Sequence, residues 1–289
     1  MSTPYTTLIS AAELQALQAS GQALMVFDCS FDLTQPTAGN SQFDTLHVAG
    51  AQRADLDRHL SAHGADQAKA SGGRHPLPTR EALADWLRSV GFNNHQQAVV
   101  YDRNNSSYCV RLWWMLKWLG HDAVAVLDGG LAAWQAAGGA TASGPAAPLP
   151  PGQFELRPAL RDLRTVDQVQ QALGRPEQTL IDARATPRFK GEVEPLDPVA
   201  GHIPGALNRP FTDNLGPDGR FKPAAELRAA FEALLAGRAP SQVVHHCGSG
   251  VTALPNLLAM EIAGLGPTAL FAGSWSEWCR DPQRPMARG

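Results

Sequence analysis

The chain has 289 residues, 44 % of them hydrophobic, and its 24 basic and 27 acidic residues give a formal net charge of −3. This composition supplies enough apolar surface for one large domain or two of ordinary size, and it excludes disordered and fibrous proteins. The nearly balanced charge argues against nucleic acid and acidic membrane lipid as partners, so a small-molecule partner is favoured.

The sequence predicts a soluble, cytoplasmic protein with reduced thiols. The segment from Met1 to Ser10 has no basic stretch followed by an apolar one. No run approaches the roughly 18 uncharged apolar residues of a membrane span. The cysteines are few, widely spaced and without a Cys-x-x-Cys pair, which predicts no disulfide framework. They are Cys29, Cys109, Cys247 and Cys279.

Short aliphatic runs alternate with longer segments of helical periodicity along the whole chain. The predicted strands are 24–28, 98–102, 124–128, 180–183, 242–246 and 268–271. The predicted helices are 12–19, 80–90, 109–119, 167–173, 225–235 and 252–263. Continuous apolar strands separated by helices are typical of a mainly parallel sheet covered on both faces, so we expect an α/β fold. Pro255 falls within the first turn of its helix, where a proline is tolerated.

Four landmarks occur in the same order in both halves of the chain and indicate an internal duplication. The first half contains the landmarks 27–29, 47–51, 99–102 and 127–134, and the second half contains 180–184, 202–206, 243–246 and 272–278. Between the halves lies a stretch rich in Gly, Ala and Pro with no apolar periodicity, which indicates a linker. We therefore predict a first domain over residues 1–138, a linker over 139–153 and a second domain over 154–289.

Cys247 is the strongest candidate for a catalytic group. It lies where the predicted strand 242–246 meets the next helix, in the turn Cys247-Gly248-Ser249-Gly250-Val251-Thr252. Two glycines allow the backbone amides to curl inward, and a helix N-terminus adds partial positive charge, so a thiolate is favoured there. In the first half, the matching turn is Asp102-Arg103-Asn104-Asn105 and contains no sulfur.

Other conspicuous residues are better explained by structure than by chemistry. Cys109 lies within a helix among apolar residues and is expected in the core, as are Trp113, Trp114 and Trp118. His47 and His202 each lie three residues before a Gly-Ala pair, one in each half, and their presence also in the half whose turn contains no sulfur favours a fold-stabilising hydrogen bond. His245 and His246 are adjacent on a strand and therefore point to opposite faces, so we predict no metal site.

The turn 247–253, together with Gly201-His202-Ile203-Pro204-Gly205-Ala206 and Asp128-Gly129-Gly130, closely resembles the tandem-domain rhodanese family of sulfurtransferases. The resemblance covers nearly the whole chain. It implies two tandem rhodanese-like domains, of which the first is catalytically silent and the second carries a cysteine that accepts sulfur as a persulfide. Gly248-Ser249 after the cysteine is similar to the 3-mercaptopyruvate branch, whereas thiosulfate enzymes commonly have a basic pair there.

The resemblance also implies roles for individual residues. Catalytic roles fall to Cys247 and Ser249, and to Asp57 and His75 from the first half of the sequence. Substrate-binding roles fall to Arg188, whose planar fork suits a carboxylate, to Arg184, and to the turn residues Gly248, Gly250, Val251 and Thr252. The sequence departs from the family where a second substrate arginine is usual, because this stretch reads Glu194-Pro195-Leu196-Asp197.

These features predict a sulfurtransferase that needs no metal or organic cofactor. The expected donor is 3-mercaptopyruvate, with thiosulfate as the alternative, and the expected acceptor is a small thiol, cyanide or a thioredoxin-like protein. A cysteine phosphatase is an alternative, since it also has a cysteine in an amide-lined turn. It requires a phosphate-binding arginine six residues after the cysteine, however, and this position is Ala253. The turn is also expected to be short for a phosphate, since helical signals begin near Thr252. A non-catalytic regulatory module is the third alternative.

Overall fold

The computed structural model describes residues 3–64 and 66–289, and the chain divides into two compact units. The first unit comprises the described residues up to Ala68, Pro78–Leu160 and Pro217–Arg220. The second unit comprises Lys69–Leu77, Arg161–Gly216 and Phe221–Gly289. Lys69–Leu77 therefore belongs to the second unit although it lies in the first half of the sequence. The domain limits at residues 138 and 154 stay a prediction.

The first unit is built on a parallel sheet. Its strands are Leu8–Ile9 (β1), Leu24–Asp28 (β2), His47–Val48 (β3), Gln52–Arg53 (β4), Gln97–Tyr101 (β5), Val124–Leu127 (β6) and Thr141–Ala142 (β7). Five of them form a sheet in the order β1-β6-β5-β2-β4, with every pair parallel. β3 and β7 form a separate antiparallel pair. β7 lies inside the predicted linker, because a two-residue strand leaves no periodicity in the sequence.

Helices of the first unit follow the strands in the expected alternation. They are Ala11–Ala19 (α1), Ala38–Thr45 (α2), Arg80–Ser89 (α3), Cys109–Trp118 (α4) and Gly130–Ala136 (α5). Ser10 begins α1 with a capping box to Glu13, and the Thr79 hydroxyl accepts from the amide of Ala82 at the start of α3. All residues of α4 are buried, which confirms the core positions predicted for Cys109 and the three tryptophans.

The second unit repeats this order with four strands in one parallel sheet. The strands are Thr179–Asp182 (β8), Leu207–Asn208 (β9), Val243–His246 (β10) and Ala269–Leu270 (β11). Their order is β11-β10-β8-β9. Leu163 forms a parallel bridge with Leu270, at the place that β1 takes beside β6 in the first unit. The helices are Val166–Gln171 (α6), Thr186–Lys190 (α7), Ala224–Leu235 (α8), Leu254–Ile262 (α9) and Ser274–Trp278 (α10).

The predicted α/β class with parallel sheets is confirmed, and each predicted strand agrees with the observed one to within one residue at either end. The largest difference at a helix start is at α9, which begins at Leu254 and not at Thr252. Pro255 occupies its first turn, where a missing N–H removes no helical hydrogen bond. Within the described ranges, no helix has the length and apolar character needed to cross a lipid bilayer.

Each unit has its own apolar core. In the first, Leu14 of α1 and Trp134 of α5 pack in one cluster with residues of the central strands. In the second, Trp275 and Trp278 of α10 cluster with Val244 of β10. Large aromatic side chains of this kind bury the greatest apolar area per residue and anchor the helices to the sheet.

A buried histidine occupies the same structural place in both units. His47 Nδ1 lies 2.8 Å from the carbonyl oxygen of Phe43, and its ring stacks on the Phe43 ring with centroids 3.9 Å apart. His202 Nδ1 lies 2.8 Å from the carbonyl oxygen of Phe189, and these rings stack at 3.8 Å. The prediction of a fold-stabilising hydrogen bond for both histidines is confirmed.

Candidate active site

Cys247 directly follows β10, which lies between β8 and β11 in the second sheet. The carboxyl ends of parallel strands form the edge at which open α/β sheets bind ligands. Residues 247–253 form the turn that connects β10 to α9, and Cys247 is 1 % exposed. The position is therefore suited to a reactive group that is shielded from bulk water.

The other three cysteines lie in surroundings that disfavour a thiolate. Burial raises the pKa of the Cys29 thiol well above the ordinary value, and the nearby Asp28 and Asp102 carboxylates raise it further. Burial likewise raises the pKa of the Cys109 thiol well above the ordinary value, and Asp102 adds to the shift. Burial also raises the pKa of the Cys279 thiol. In all three thiols the protonated form is therefore favoured over the thiolate.

Ser274 fixes the backbone at the start of the Cys247 turn. Its Oγ accepts a hydrogen bond from the amide of Cys247 at 3.1 Å and donates one to the carbonyl oxygen of Phe271 at 3.0 Å. The amide of Trp275 donates to the carbonyl oxygen of Cys247 at 3.0 Å. Ser274 itself has a positive φ of 56°, which is strained for a residue other than glycine. Two hydrogen bonds thus hold the backbone of Cys247, and a third fixes the Ser274 hydroxyl that accepts one of them.

Gly250 is required by the shape of the turn. Its φ is +72°, and a Cβ atom at this position would collide with the carbonyl oxygen of Ala272. Only glycine adopts this conformation without strain and without that collision. The glycine therefore allows the turn to lie directly against the end of β11.

The turn presents backbone N–H groups to an incoming anion. In the described part of the chain, no protein acceptor pairs with the amides of Gly248, Ser249, Val251 and Thr252. Unpaired amides in a tight turn at a helix N-terminus form a favourable site for negative charge. The roles predicted for Gly248, Gly250, Val251 and Thr252 agree with this geometry and stay predictions.

In the first unit, the equivalent turn begins with the acidic residue Asp102. Asp102 follows β5 as Cys247 follows β10, and residues 102–108 lead into α4 as residues 247–253 lead into α9. The Asp102 carboxylate is buried and accepts four backbone hydrogen bonds of 2.8–2.9 Å. The donors are the amides of Asn104, Ser106, Tyr108 and Cys109. The turn of the first unit is therefore filled by its own carboxylate.

Ser249 and His75 form a buried polar pair beside Cys247. Ser249 Oγ lies 2.8 Å from Nδ1 of His75, and both side chains are almost fully buried. His75 belongs to the segment Lys69–Leu77, which is part of the second unit. A hydroxyl joined to an imidazole can pass a proton in either direction. The structure thus brings together two of the predicted catalytic residues.

Arg188 lies next to the turn but is already paired. Its Nη2 donates to Glu194 Oε1 at 2.7 Å, and Nη2 also lies 3.4 Å from Asp197 Oδ2. Although burial opposes its ionisation, Arg188 and the amide of Leu196 hold the pKa of Glu194 below its ordinary value. The Arg188 side chain as a whole is 20 % exposed. Arg188 is therefore partly accessible, and its Nη1 and Nη2 atoms lie 3.6 Å from the Cβ position of Gly248.

Arg184 is engaged on every side by buried partners. Its Nη2 donates to Asp182 Oδ2 and to the carbonyl oxygen of Gly201, each at 2.7 Å, and the guanidinium lies 5.0 Å from the ring centroid of Trp275. Burial alone would lower the pKa of Arg184, but Asp182 and Glu194 raise it above the usual value. Through these contacts, Arg184 holds together the end of β8 and the segments that contain Glu194 and Gly201. The predicted role of Arg184 in binding substrate stays a prediction.

Arg74 is a residue of this site that the sequence interpretation missed. Its Nη1 donates to Asp197 Oδ1 at 2.5 Å, and its backbone amide donates to Ser276 Oγ at 2.9 Å. The only local signal is the motif Gly72-Gly73-Arg74, which reads as an ordinary polar loop. Its contacts with Asp197 and Ser276 join segments far apart in the sequence, and no local pattern predicts them.

Asp57 belongs to the first unit, where its Oδ1 lies 3.0 Å from Nε2 of His63. Both side chains are partly exposed. Its contribution to catalysis stays a prediction.

The two histidines before Cys247 point in different directions, as alternation along a strand requires. His245 Nε2 lies 3.3 Å from Met260 Sδ of α9, whereas His246 Nδ1 lies 3.8 Å from Asp182 Oδ2 of β8. Burial, together with the smaller effects of His246 and Arg209, lowers the pKa of His245 to about 3. Across residues 3–64 and 66–289, no group of three or more His, Cys, Asp or Glu side chains could hold a metal ion.

Comparison with known proteins identifies the family. A family model described as a rhodanese-like domain matches residues 10–137 and 165–281. The chain belongs to the rhodanese-like domain family. The resemblance seen in the sequence is thereby confirmed, and so are the two rhodanese-like domains with parallel sheets flanked by helices.

Relatives of this rhodanese-like protein have names from both donor branches. A protein of Pseudomonas aeruginosa named probable 3-mercaptopyruvate sulfurtransferase is 49 % identical, and the match covers 98 % of each chain. A protein of Mycobacterium tuberculosis named putative thiosulfate sulfurtransferase SseB is 38 % identical over 98 % of this chain and 97 % of that one. The crystal structure of SseA from Escherichia coli, described as a 3-mercaptopyruvate sulfotransferase, has a TM-score of 0.79 and 32 % identity, covering 94 % of this chain and 100 % of that chain.

Proposed function

We propose that this rhodanese-like protein is a sulfurtransferase that moves sulfur from 3-mercaptopyruvate, through a persulfide on Cys247, to a thiol or cyanide acceptor. The observation that carries the proposal is the difference between the two equivalent turns. Asp102 occupies the amides of its own turn in the first unit, whereas among the described residues no carboxylate pairs with the amides of Gly248, Ser249, Val251 and Thr252. The second turn is therefore the one that can accept an anionic ligand.

In the first half-reaction, the Cys247 thiolate attacks the sulfur atom of the donor. A sulfur–sulfur bond forms while the carbon–sulfur bond of the donor breaks, and the electron pair of that bond stays on the carbon fragment as an enolate of pyruvate. The amides of the turn stabilise the negative charge as it moves from sulfur to the enolate. Arg188 lies close enough to Gly248 to bind the donor carboxylate.

The enolate must then gain a proton to leave as pyruvate. Ser249 lies two residues after Cys247 in the same turn, and its hydrogen bond to His75 supports this pair as the source of the proton. In the second half-reaction, the acceptor attacks the outer sulfur of the persulfide. The sulfur–sulfur bond breaks, the acceptor keeps the transferred sulfur, and the Cys247 thiolate is restored. A small thiol, cyanide or the thiolate of a thioredoxin-like protein can serve as acceptor.

The charges around Cys247 favour a monoanionic donor. The guanidinium groups of Arg74 and Arg188 are matched by the carboxylates of Glu194 and Asp197, so the four side chains together are neutral. Thiosulfate is a dianion and gains most from a surplus of positive charge, which these four side chains do not provide. The carboxylate of 3-mercaptopyruvate requires less compensation. Thiosulfate therefore remains the second donor, with a lower expected kcat/KM.

Two measurements test this proposal. The intact mass of the protein is recorded after incubation with 3-mercaptopyruvate, and kcat/KM is compared for 3-mercaptopyruvate and thiosulfate with cyanide as acceptor. We expect the mass to rise by one sulfur atom in the wild type and to stay unchanged in Cys247→Ser, whose melting temperature should be close to that of the wild type. A wild-type protein that gains no sulfur from either donor refutes the function, and a clear preference for thiosulfate refutes the choice of donor.

A further inference from the structure

A cleft of the second unit lies at the edge of the sheet opposite to Cys247. Thr179 begins β8 and pairs with Val243, which begins β10. Cys247 follows four residues after Val243, a span of about 13 Å in an extended strand. The cleft beside Thr179 has a volume of about 380 Å³, and all residues of its wall belong to the second unit.

We propose that this cleft binds a phosphate group carried by a small organic molecule. Arg175 and Arg238 are the two cations that hold the phosphate. The wall of the cleft includes Leu173, Gly174, Arg175, Pro176, Thr179, Pro204, Gly205 and Arg238. The site is separate from the Cys247 turn and does not depend on the proposed function.

Arg175 and Arg238 are cations without a carboxylate partner. In residues 3–64 and 66–289, neither guanidinium forms an ion pair, and no Asp or Glu belongs to the wall of the cleft. Nη1 of Arg238 donates to the carbonyl oxygen of Leu235 at 3.0 Å, which holds this side chain against the end of α8. Its remaining N–H groups and those of the Arg175 guanidinium are available to a ligand.

The wall of the cleft also contains neutral hydrogen-bond donors. Thr179 is 6 % exposed, and among the described residues no protein group pairs with its hydroxyl. The backbone amides of Gly174 and Gly205 likewise have no acceptor in this part of the chain. Both glycines have a positive φ, and a Cβ atom at either would meet nothing within 4 Å, so the protein leaves open space beside them. Hydroxyl and amide donors next to two guanidinium groups suit an oxyanion with several oxygen atoms.

The charge of the cleft selects a phosphate over a carboxylate. A phosphate monoester carries a charge of about −1.5 to −2 at neutral pH and has three acceptor oxygens, so it matches two guanidinium groups. A carboxylate carries one negative charge and leaves one of the two cations unmatched. The planar fork of arginine also fits the oxygen atoms of a phosphate two at a time.

The size and the apolar part of the wall indicate an organic body on the phosphate. A volume of about 380 Å³ is within the range of about 300–1,000 Å³ that is usual for sites of small organic molecules. Leu173, Pro176 and Pro204 supply apolar surface beside the two arginines. Burial of an apolar group against this surface adds affinity that inorganic phosphate lacks.

Titration calorimetry with two probes, phenyl phosphate and inorganic phosphate, tests the site. The measurements are made at mildly alkaline pH, where both probes are dianions. We expect phenyl phosphate to bind the wild type with a Kd of about 1 mM or tighter and inorganic phosphate to bind more weakly. Arg175→Gln and Arg238→Gln should each weaken the binding of phenyl phosphate by about tenfold or more. Arg228→Gln is the matched control, since it removes an exposed arginine of α8 that pairs with Glu232.

Backbone amide resonances show where the probe binds, because the Cys247 turn is also able to attract an anion. Phenyl phosphate should shift the amide resonances of Gly174, Thr179 and Gly205 in the wild type and leave them unchanged in Arg175→Gln. The resonances of Gly248 and Ser249 report binding at the Cys247 turn. Melting temperatures without the probe check that every variant keeps its fold.

Three outcomes overturn the inference. One is shifts at Gly248 and Ser249 without shifts at Gly174 and Gly205, which places the anion at the Cys247 turn. Another is an equal effect of Arg175→Gln and Arg228→Gln on the affinity, which means that only the overall charge matters. The third is equal affinity for phenyl phosphate and inorganic phosphate, which refutes the organic body. Sulfur gain by Cys247 is measured separately, so failure of the proposed function and failure of this inference are distinguishable.

Discussion

Ser249 Oγ lies 2.8 Å from Nδ1 of His75, although the two residues are 174 positions apart in the chain. Ser249 is held by the turn that contains Cys247, and His75 by a loop that packs on α10. The hydrogen bond therefore depends on tertiary structure alone. It joins an ionisable ring to the turn that contains Cys247.

The first prediction concerns proton delivery by this pair. Ser249→Ala removes the hydroxyl, and His75→Asn keeps a hydrogen-bonding group near Ser249 but cannot pass a proton. We expect both changes to lower the rate of pyruvate release by about 10²-fold with little change in KM, because the enolate waits for a proton from water. Rapid-mixing measurement of pyruvate release checks this.

The second half-reaction is the internal control for this prediction. Discharge of a preformed persulfide to cyanide needs no enolate, so its rate should be nearly unchanged in both variants. If His75→Asn releases pyruvate as fast as the wild type, the imidazole has only a structural role. If both half-reactions slow equally, the change has disturbed Cys247 itself.

Much of the site could be predicted from the sequence because its main signals are local. The apolar run 243–246 followed by Cys247 and two glycines predicts a strand, a candidate nucleophile and an amide-lined turn within about ten residues. The structural role of His47 and His202 could also be predicted, since the same motif occurs in both halves. The start of α9 was placed two residues early, because Val251 and Thr252 have no sequence feature that separates a turn from a first helical turn.

Arg74 could not be predicted in this way. Its partner Asp197 is 123 positions away, and Gly72-Gly73-Arg74 has no periodicity. The sequence does show that an acidic segment stands where a second arginine is usual in the family. Only the folded chain shows that a different loop brings an arginine to that place. Short strands such as β4 and β9 were missed for a similar reason, since two residues pair only because their neighbours in the sheet are already positioned.

The second prediction concerns the shape of the Cys247 turn. Gly250→Ala places a Cβ atom against the carbonyl oxygen of Ala272 in a backbone conformation with φ +72°. The left-handed conformation alone costs a non-glycine residue about 1–2 kcal/mol, and relief of the collision must shift the turn. We expect a lower free energy of unfolding and a loss of transfer activity. Urea denaturation and persulfide formation are the measurements.

Gly237→Ala is a suitable control for Gly250→Ala. Gly237 also has a positive φ, of 87°, but a Cβ atom there meets nothing within 4 Å. Both variants carry the conformational cost, whereas only Gly250→Ala carries the collision. Equal activity in the two variants would show that the contact with Ala272 does not shape the site.

The third prediction concerns the filled turn of the first unit. Asp102→Asn preserves the shape of the side chain but turns one carboxylate oxygen into an amide nitrogen. Because Oδ1 accepts from Asn104 and Ser106 while Oδ2 accepts from Tyr108 and Cys109, two buried amides lose their acceptor in either orientation. We expect the free energy of unfolding to fall by about 2–4 kcal/mol. Asp85→Asn, on the exposed face of α3, should cost little. Equal stability of the two variants would contradict the conclusion that the Asp102 carboxylate stabilises its turn through these four hydrogen bonds.

The fourth prediction concerns acid stability and His245. Burial lowers the pKa of this histidine to about 3, and in the first unit burial lowers the pKa of His59 and of His121 to about 4. An unfolded histidine has a pKa of about 6.5, so below that pH the unfolded chain binds protons that the native protein does not. The contribution of these neutral histidines to the free energy of unfolding is therefore fully present above about pH 6.5. It falls as the pH drops toward the native pKa, by up to about 1.4 kcal/mol per pH unit for each histidine.

His245→Leu should remove one of these contributions, since leucine fits an apolar strand position and binds no proton. We expect its free energy of unfolding to fall less steeply between about pH 6.5 and about pH 5 than that of the wild type, by up to about 1.4 kcal/mol per pH unit. Urea denaturation across this range measures the slope. His95→Leu, at an exposed position, should keep the wild-type slope. If His245→Leu keeps the wild-type slope, His245 is protonated or accessible to water in the native strand. In that case β10 does not hold Cys247 in the water-free surroundings on which the proposed enolate chemistry depends.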